Sequence, residues 1–254
     1  MSFVSPKNVI AFGLCWLALF SGLAGAQTAP TKPGISFYVL RVIYPEAEKK
    51  GVSLTAYNKS AAPYLMQSWI QPVDPVTGDV NMANTDSAAM PFIVTPPLAR
   101  LEANSELTLR IRRNGEPLPT DRESVFFISM KAIPAQQEAD KESAAGQMAL
   151  TVVSNMKLFY RPEGLAKRAV ADVASKLSFR REGNVLIADN PTPYWLTFSR
   201  LHVGSTEMDK AQLRLMVPPK GQQQYRLPEG TTGKVSWQLI DEDGWDTPFA
   251  HQNL

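Results

Sequence analysis

The stretch Leu107, Thr108, Leu109, Arg110, Ile111, Arg112 alternates apolar and polar side chains without a break. Successive side chains of a strand point to opposite faces, so this run has one apolar and one wetted face and reads as a half-buried antiparallel strand. The same period of two recurs on either side in short runs at 35–44, 52–57, 64–70, 92–95, 125–133 and 148–160, separated by Gly, Pro, Asn and Asp. Helical periodicity is nearly absent. After a pause at Glu163 and Gly164, a helix-compatible segment with Ala169, Val170, Val173 and Leu177 leads into a second set of strands at 177–179, 185–188, 195–203, 213–217, 225–227 and 235–240. Two sets of short strands suit two immunoglobulin-like β-sandwich domains, all-β, with boundaries expected at 27–162 and 163–254.

The chain has 254 residues, 44% hydrophobic and 20% charged, enough to bury a substantial core. Its 26 Lys and Arg against 24 Asp and Glu leave a net charge of only +2, which argues against nucleic acid as a principal partner. Residues 1–26 read as a secretory signal peptide, with Lys7, an apolar run from Val9 to Leu23, and Ala24, Gly25, Ala26 before Gln27. The run is shorter than the roughly 20 apolar residues of a spanning helix. The one cysteine, Cys15, falls in that segment, so the exported product would hold no disulfide and would depend on core burial.

Two strands stand out. In the run 148–160, Met148, Leu150 and Val152 share one face while Ala149, Thr151 and Val153 share the other, and a charged, small-residue segment at 136–147 precedes it. In the run 35–44, Arg41 interrupts an apolar face. A cation there wants an anionic partner, although by pattern alone it could snorkel to solvent, with Lys157 an ordinary surface lysine.

Several blocks together resemble the periplasmic chaperones of the chaperone–usher pilus pathway. They are Tyr64-Leu65-Met66-Gln67-Ser68-Trp69-Ile70; Thr95-Pro96-Pro97-Leu98-Ala99-Arg100-Leu101; Asp121-Arg122-Glu123-Ser124-Val125-Phe126-Phe127 with Ile133-Pro134; Lys157-Leu158-Phe159-Tyr160-Arg161-Pro162; and Asn190-Pro191-Thr192-Pro193-Tyr194. The resemblance implies two sandwiches set at an angle around a cleft that takes the carboxyl terminus of a pilus subunit. By the family's pattern, Arg41 and Lys157 would bind that carboxylate. Met148, Leu150 and Val152 would fill the open groove of the subunit, which is then delivered to an outer-membrane usher. Glu123, Arg161 and Glu242 would form an ionic set between the domains, with Asp241 as the fallback for the last. Lys157 has the opposite strand parity to the groove-filling residues, which a bulge or strong twist could reconcile. The absence of a mature cysteine pair favours the short-loop branch of the family.

The resemblance further implies a periplasmic protein that is not an enzyme, with no cofactor, no metal and no small-molecule substrate. Exposed donor edges leave room for a self-capping dimer. A hydrolase lacks parts here. His202 and His251 are the two histidines and read as structural or solvated, and no nucleophile-elbow or Walker motif is present. The segment Asp241-Glu242-Asp243-Gly244 lacks the downstream acid of a calcium loop. The alternatives are a structural pilus subunit or adhesin of the same fold, and a carbohydrate-binding module using Trp195 or Trp245, for which core packing is the simpler reading.

Overall fold

The computed structural model describes residues 34–81, 90–135 and 150–254. The signal-peptide reading of 1–26, the segment 136–147 and Met148 lie outside these residues. The first sandwich is built from β1 (Ile35–Ser36), β2 (Arg41–Pro45), β3 (Val52–Asn58), β4 (Tyr64–Pro72), β5 (Phe92–Thr95), β6 (Leu98–Leu101), β7 (Glu106–Arg113), β8 (Ser124–Pro134) and β9 (Val152–Arg161). One sheet has the order β1-β3-β7-β5 and the other β2-β9-β8-β4-β6. Leu109 and Ile111 of the deciding stretch are fully buried in β7 and share one core with Met66, Ile128, Met130 and Leu158 of the facing sheet, with Leu107 packed half-buried against it. Each such side chain contributes roughly 1.5–3 kcal/mol on burial.

The second sandwich follows a short helix α1 (Val170–Val173) and one turn of 3-10 helix at Ala174–Lys176. It contains β10 (Ser178–Glu182), β11 (Val185–Asn190), β12 (Phe198–Val203), β13 (Thr206–Glu207), α2 (Lys210–Leu213), β14 (Gly221–Arg226), β15 (Val235–Leu239) and β16 (Ala250–Gln252). Its sheets run β10-β11-β14 and β13-β12-β15-β16. Leu186, Leu201, Val203, Tyr225 and Trp237 form its core, and the Trp237 indole N–H donates to the Ala174 carbonyl at 3.0 Å, satisfying the one polar atom that burial would otherwise strand.

The structure differs from the sequence reading in several elements. The run 35–44 is two strands in different sheets: β1 pairs with β3, β2 pairs with β9, and the chain crosses between sheets at 37–40 with Tyr38 and Leu40 exposed. Alternation could not reveal this, because both ends of the run are apolar on the faces they bury. The run 213–217 is not a strand. Asp209 caps α2 by accepting the Gln212 N–H at 2.8 Å, so Leu213 closes a helical turn, and of the rest of the run only Val217 pairs, through an isolated bridge to Leu196. β14 begins at Gly221, earlier than expected, because Gln222, Gln223 and Gln224 carry no apolar signal although they pair with β11. Trp245, read as a core residue, stands 72% exposed.

Candidate functional site

β2 and β9 are the one parallel pair of the five-stranded sheet, and their register starts with Arg41 opposite Lys157. Pairing of β9 with β8 and of β8 with β4 extends this into a row across four strands: Arg41, Lys157, Phe127, Gln71. The neighbouring residues Val42 and Leu158 point into the sandwich core, so the row lies on the opposite face, toward the second sandwich. Arg41 is buried. Its Nη1 donates to the Ile240 carbonyl at 3.0 Å, its guanidinium lies 5.4 Å from the centre of the Phe159 ring, and its Nε is buried with no hydrogen-bond partner among the described residues. Neither Arg41 nor Lys157 forms an ion pair among the described residues.

Two neighbouring cations with little water around them are costly, and their acidities record it. Burial pulls Arg41 down to about 10, against the pull of Glu123, Glu242 and Asp241. Burial, and then the Arg41 charge, lowers Lys157 to about 8, partly offset by Asp79. An anion placed between them would relieve both penalties through charge-assisted hydrogen bonds.

The edge of β9 is open beside this pair. β8 covers β9 from Val152 to Tyr160, but β2 covers only Lys157 to Arg161, which leaves Val152–Met156 without a neighbour on the β2 side among the described residues. Leu150, Val152 and Val153 are exposed there, Leu150 by 76%. The β8–β9 register runs without a shift, so there is no bulge. Val152 accordingly shares the face of the buried Met156, Leu158 and Tyr160 and extends the core line past the end of the sandwich, while Lys157 points to the other face.

Arg161, four residues on, joins the sandwiches. Its Nε donates to Glu123 Oε1 at 2.6 Å and its Nη2 to Glu242 Oε1 at 2.7 Å, with Nη1 donating to the carbonyls of Ala166 and Lys167. Glu242 Oε1 also accepts the N–H groups of Ala169 and Val170, and Glu123 Oε2 accepts the Trp195 N–H at 2.8 Å. Glu242, rather than Asp241, is the acid that reaches Arg161. Burial opposes the Arg161 charge, but the Glu123 and Glu242 partners outweigh it and hold the guanidinium protonated. Trp195 packs by this set, its indole N–H donating to the Glu123 carbonyl at 3.0 Å.

One group on this face was missed by sequence reasoning. The fully buried Ser129 hydroxyl lies 2.6 Å from Gln71 Oε1 and 2.8 Å from Asn155 Oδ1, tying β4, β8 and β9 together. No motif marks it, since a lone serine in an apolar strand carries no spacing signal.

A sandwich pair with an exposed apolar edge that ends at two neighbouring cations makes up the candidate site. A family model for the pili and flagellar-assembly chaperone, PapD N-terminal domain, matches residues 34–166, and one for the pili assembly chaperone PapD, C-terminal domain, matches residues 172–250. The chain belongs to this family of pilus-assembly chaperones. It is 35% identical over 236 residues to the chaperone protein FimC of Escherichia coli K12, covering 92% of this chain and 90% of that one. It is 36% identical over 248 residues to the chaperone protein FimB/FhaD of Bordetella pertussis, covering 95% and 94%. Among solved structures, a chain of the Salmonella enterica SafA pilin–SafB chaperone complex superposes with a TM-score of 0.74 at 30% identity, covering 89% of this chain and 99% of that one. The E. coli chaperone DraB superposes with a TM-score of 0.71 at 33% identity, covering 87% and 99%. The family is one of chaperones, which sets aside the structural-subunit and carbohydrate-binding alternatives.

Proposed function

We propose that this chaperone captures exported pilus subunits in the periplasm by strand addition along the open edge of β9, with the subunit's terminal carboxylate anchored by Arg41 and Lys157. Strand addition between chaperone and pilin is an established recognition mode, and here the register of β2 supports it. A client strand collinear with β2 would run parallel to β9 and must end where β2 begins, at Arg41. Its last carboxylate then arrives between the two cations, each offering a charge-assisted hydrogen bond worth about 1.5–3 kcal/mol. Arg41 supplies a planar fork and Lys157 a point charge.

Leu150 and Val152, with Met148 before them, would then enter the subunit's incomplete core, each contributing roughly 1.5–3 kcal/mol. An edge that is otherwise an aggregation hazard becomes the binding element. The Arg161 set, on this reading, fixes the second sandwich so that the cleft is preformed. Release to an outer-membrane usher needs only that a subunit's own extension replace β9. The test is capture of pilin in periplasmic extracts: Arg41→Ala and Lys157→Ala should each abolish it while circular dichroism shows the fold retained, and normal pilin yield in both would contradict the anchor.

A further inference from the structure

The turn between β2 and β3 folds back onto the end of β7. Its backbone closes on itself, the Glu48 N–H donating to the Pro45 carbonyl at 3.0 Å and the Gly51 N–H to the Glu48 carbonyl at 2.8 Å. Gly51 has φ +87°, and a Cβ there would strike the Ile111 carbonyl oxygen, so glycine is what lets the turn lie this close to β7. Arg110 Nε, reaching back from β7, donates to the Lys50 carbonyl at 3.1 Å and ties the turn down. Lys49 and Lys50 of the turn and Arg112 and Arg113 of β7 thereby border one cavity of about 530 Å³, which Tyr160 also lines.

Those four cations face a single bordering acid, Glu46, and that acid is already engaged. Glu46 Oε2 accepts the Glu163 N–H at 2.9 Å, and its Oε1 lies 3.7 Å from the Lys49 ammonium. Lys50, Arg112 and Arg113 form no ion pair among the described residues. Arg113 is half-buried and held in place: its guanidinium lies 4.7 Å from the centre of the Tyr160 ring and 6.0 Å from that of Phe92, and its Nη2 donates to the Glu116 carbonyl. Like charges gathered around a concave surface repel one another, and an anion placed among them relieves that repulsion.

We propose that this cavity is a docking site for an acidic segment of a partner protein, which inserts its carboxylates between the Lys49–Lys50 turn and the Arg112–Arg113 pair. The volume is that of a site for a peptide segment rather than for one lone ion. No exposed large apolar side chain borders it, so a bilayer surface finds nothing there to bury. The site is separate from the carboxylate anchor and does not depend on it. Tyr44 and Tyr160 lie three residues, about 10 Å, along β2 and β9 from Arg41 and Lys157, and they point to the opposite face, into the core. A chaperone with a subunit on the open edge of β9 therefore keeps this cavity free, and the acidic partner can engage the loaded form.

The test titrates the purified protein with a hexaglutamate peptide, and in parallel with inorganic phosphate and with phosphatidylglycerol vesicles. The peptide should bind, and its affinity should fall severalfold between about 0.01 and 0.15 M salt. Lys50→Gln, Arg112→Gln and Arg113→Gln should each weaken it by roughly two- to fivefold, and the three together should abolish it. Lys234→Gln, which removes an exposed cation of the second sandwich, should change nothing. Arg113 packs on Tyr160, so melting curves accompany each variant, and the exposed Lys50 and Arg112 carry the test if Arg113→Gln is unstable. On the wild-type protein the Arg113 Nε–H resonance should shift as peptide is added. Binding that survives the triple variant, or that falls equally in Lys234→Gln, would trace to overall charge and overturn the proposal. Absence of peptide binding would overturn it as well, and phosphate or vesicle binding in its place would assign the cavity to a phosphate group instead.

Discussion

Lys157 carries the sharpest single-residue prediction. Its folded-state value of about 8, set by burial, the Arg41 charge and the opposing Asp79, lies below the ordinary lysine value of 10.5. A bound carboxylate restores the charged form, so capture should be flat below about pH 7 and weaken as pH rises through 8, by up to about tenfold per unit. The free chain should do the opposite. Between about 8 and 10.5 the unfolded lysine holds a proton that the folded one has lost, so stability rises with pH across that window. Titrating binding of a peptide of alternating apolar residues with a free carboxyl terminus, and the thermal midpoint, over the same range checks both signs. A Lys157→Met variant should lose the stability dependence. Arg161 sits in a different balance: Arg161→Ala leaves Glu123 buried without its cation, which should cost about 3–5 kcal/mol in urea unfolding.

The element that matters most is β9, because its two halves do different work on one strand. From Met156 to Arg161 it is core and domain contact, while Leu150 and Val152 are exposed apolar positions beyond the core. Replacing Leu150 with Asp should leave the melting temperature within about 1 °C, since the side chain is largely exposed, yet sharply reduce subunit capture because a charge would enter an apolar groove. Loss of stability in that variant would mean that Leu150 serves the chaperone's own core. This strand also shows how far the sequence could be read. Alternation placed β7, β8 and β9 because each has one buried face, and a period of two is all that such strands require. It could not tell that 35–44 divides between two sheets, since a crossover changes the partner and not the pattern. It missed α2, where Asp209 acts through a single cap, and most of β14, whose glutamines pair by backbone alone. The candidate site was legible through resemblance far more than through pattern: Arg41 and Lys157 are remote in sequence, and only the parallel register of β2 and β9 sets them side by side. The opposite parity of Lys157 and Val152 needs no bulge, because on the proposed reading one side chain meets the cleft and the other the subunit core.

At the scale of the molecule, two sandwiches with separate cores are tied by one buried ionic set around Arg161 and by the pair of Asp79 with Arg214. The cleft between them is built before any client arrives, so binding spends little on ordering it. High salt should therefore weaken the Asp79–Arg214 pair, which is exposed, while leaving the buried Arg161 set intact. The most direct measurement of the central claim is backbone hydrogen exchange across β9 with and without a bound pilus subunit. β8 already covers one side of Val152–Met156, so the amides on the other side, alternate residues, should slow on capture while those facing β8 stay as they were. Unchanged exchange at every amide from 152 to 156 while the subunit is bound would mean that the client docks elsewhere, and the account of strand addition at this edge would be wrong.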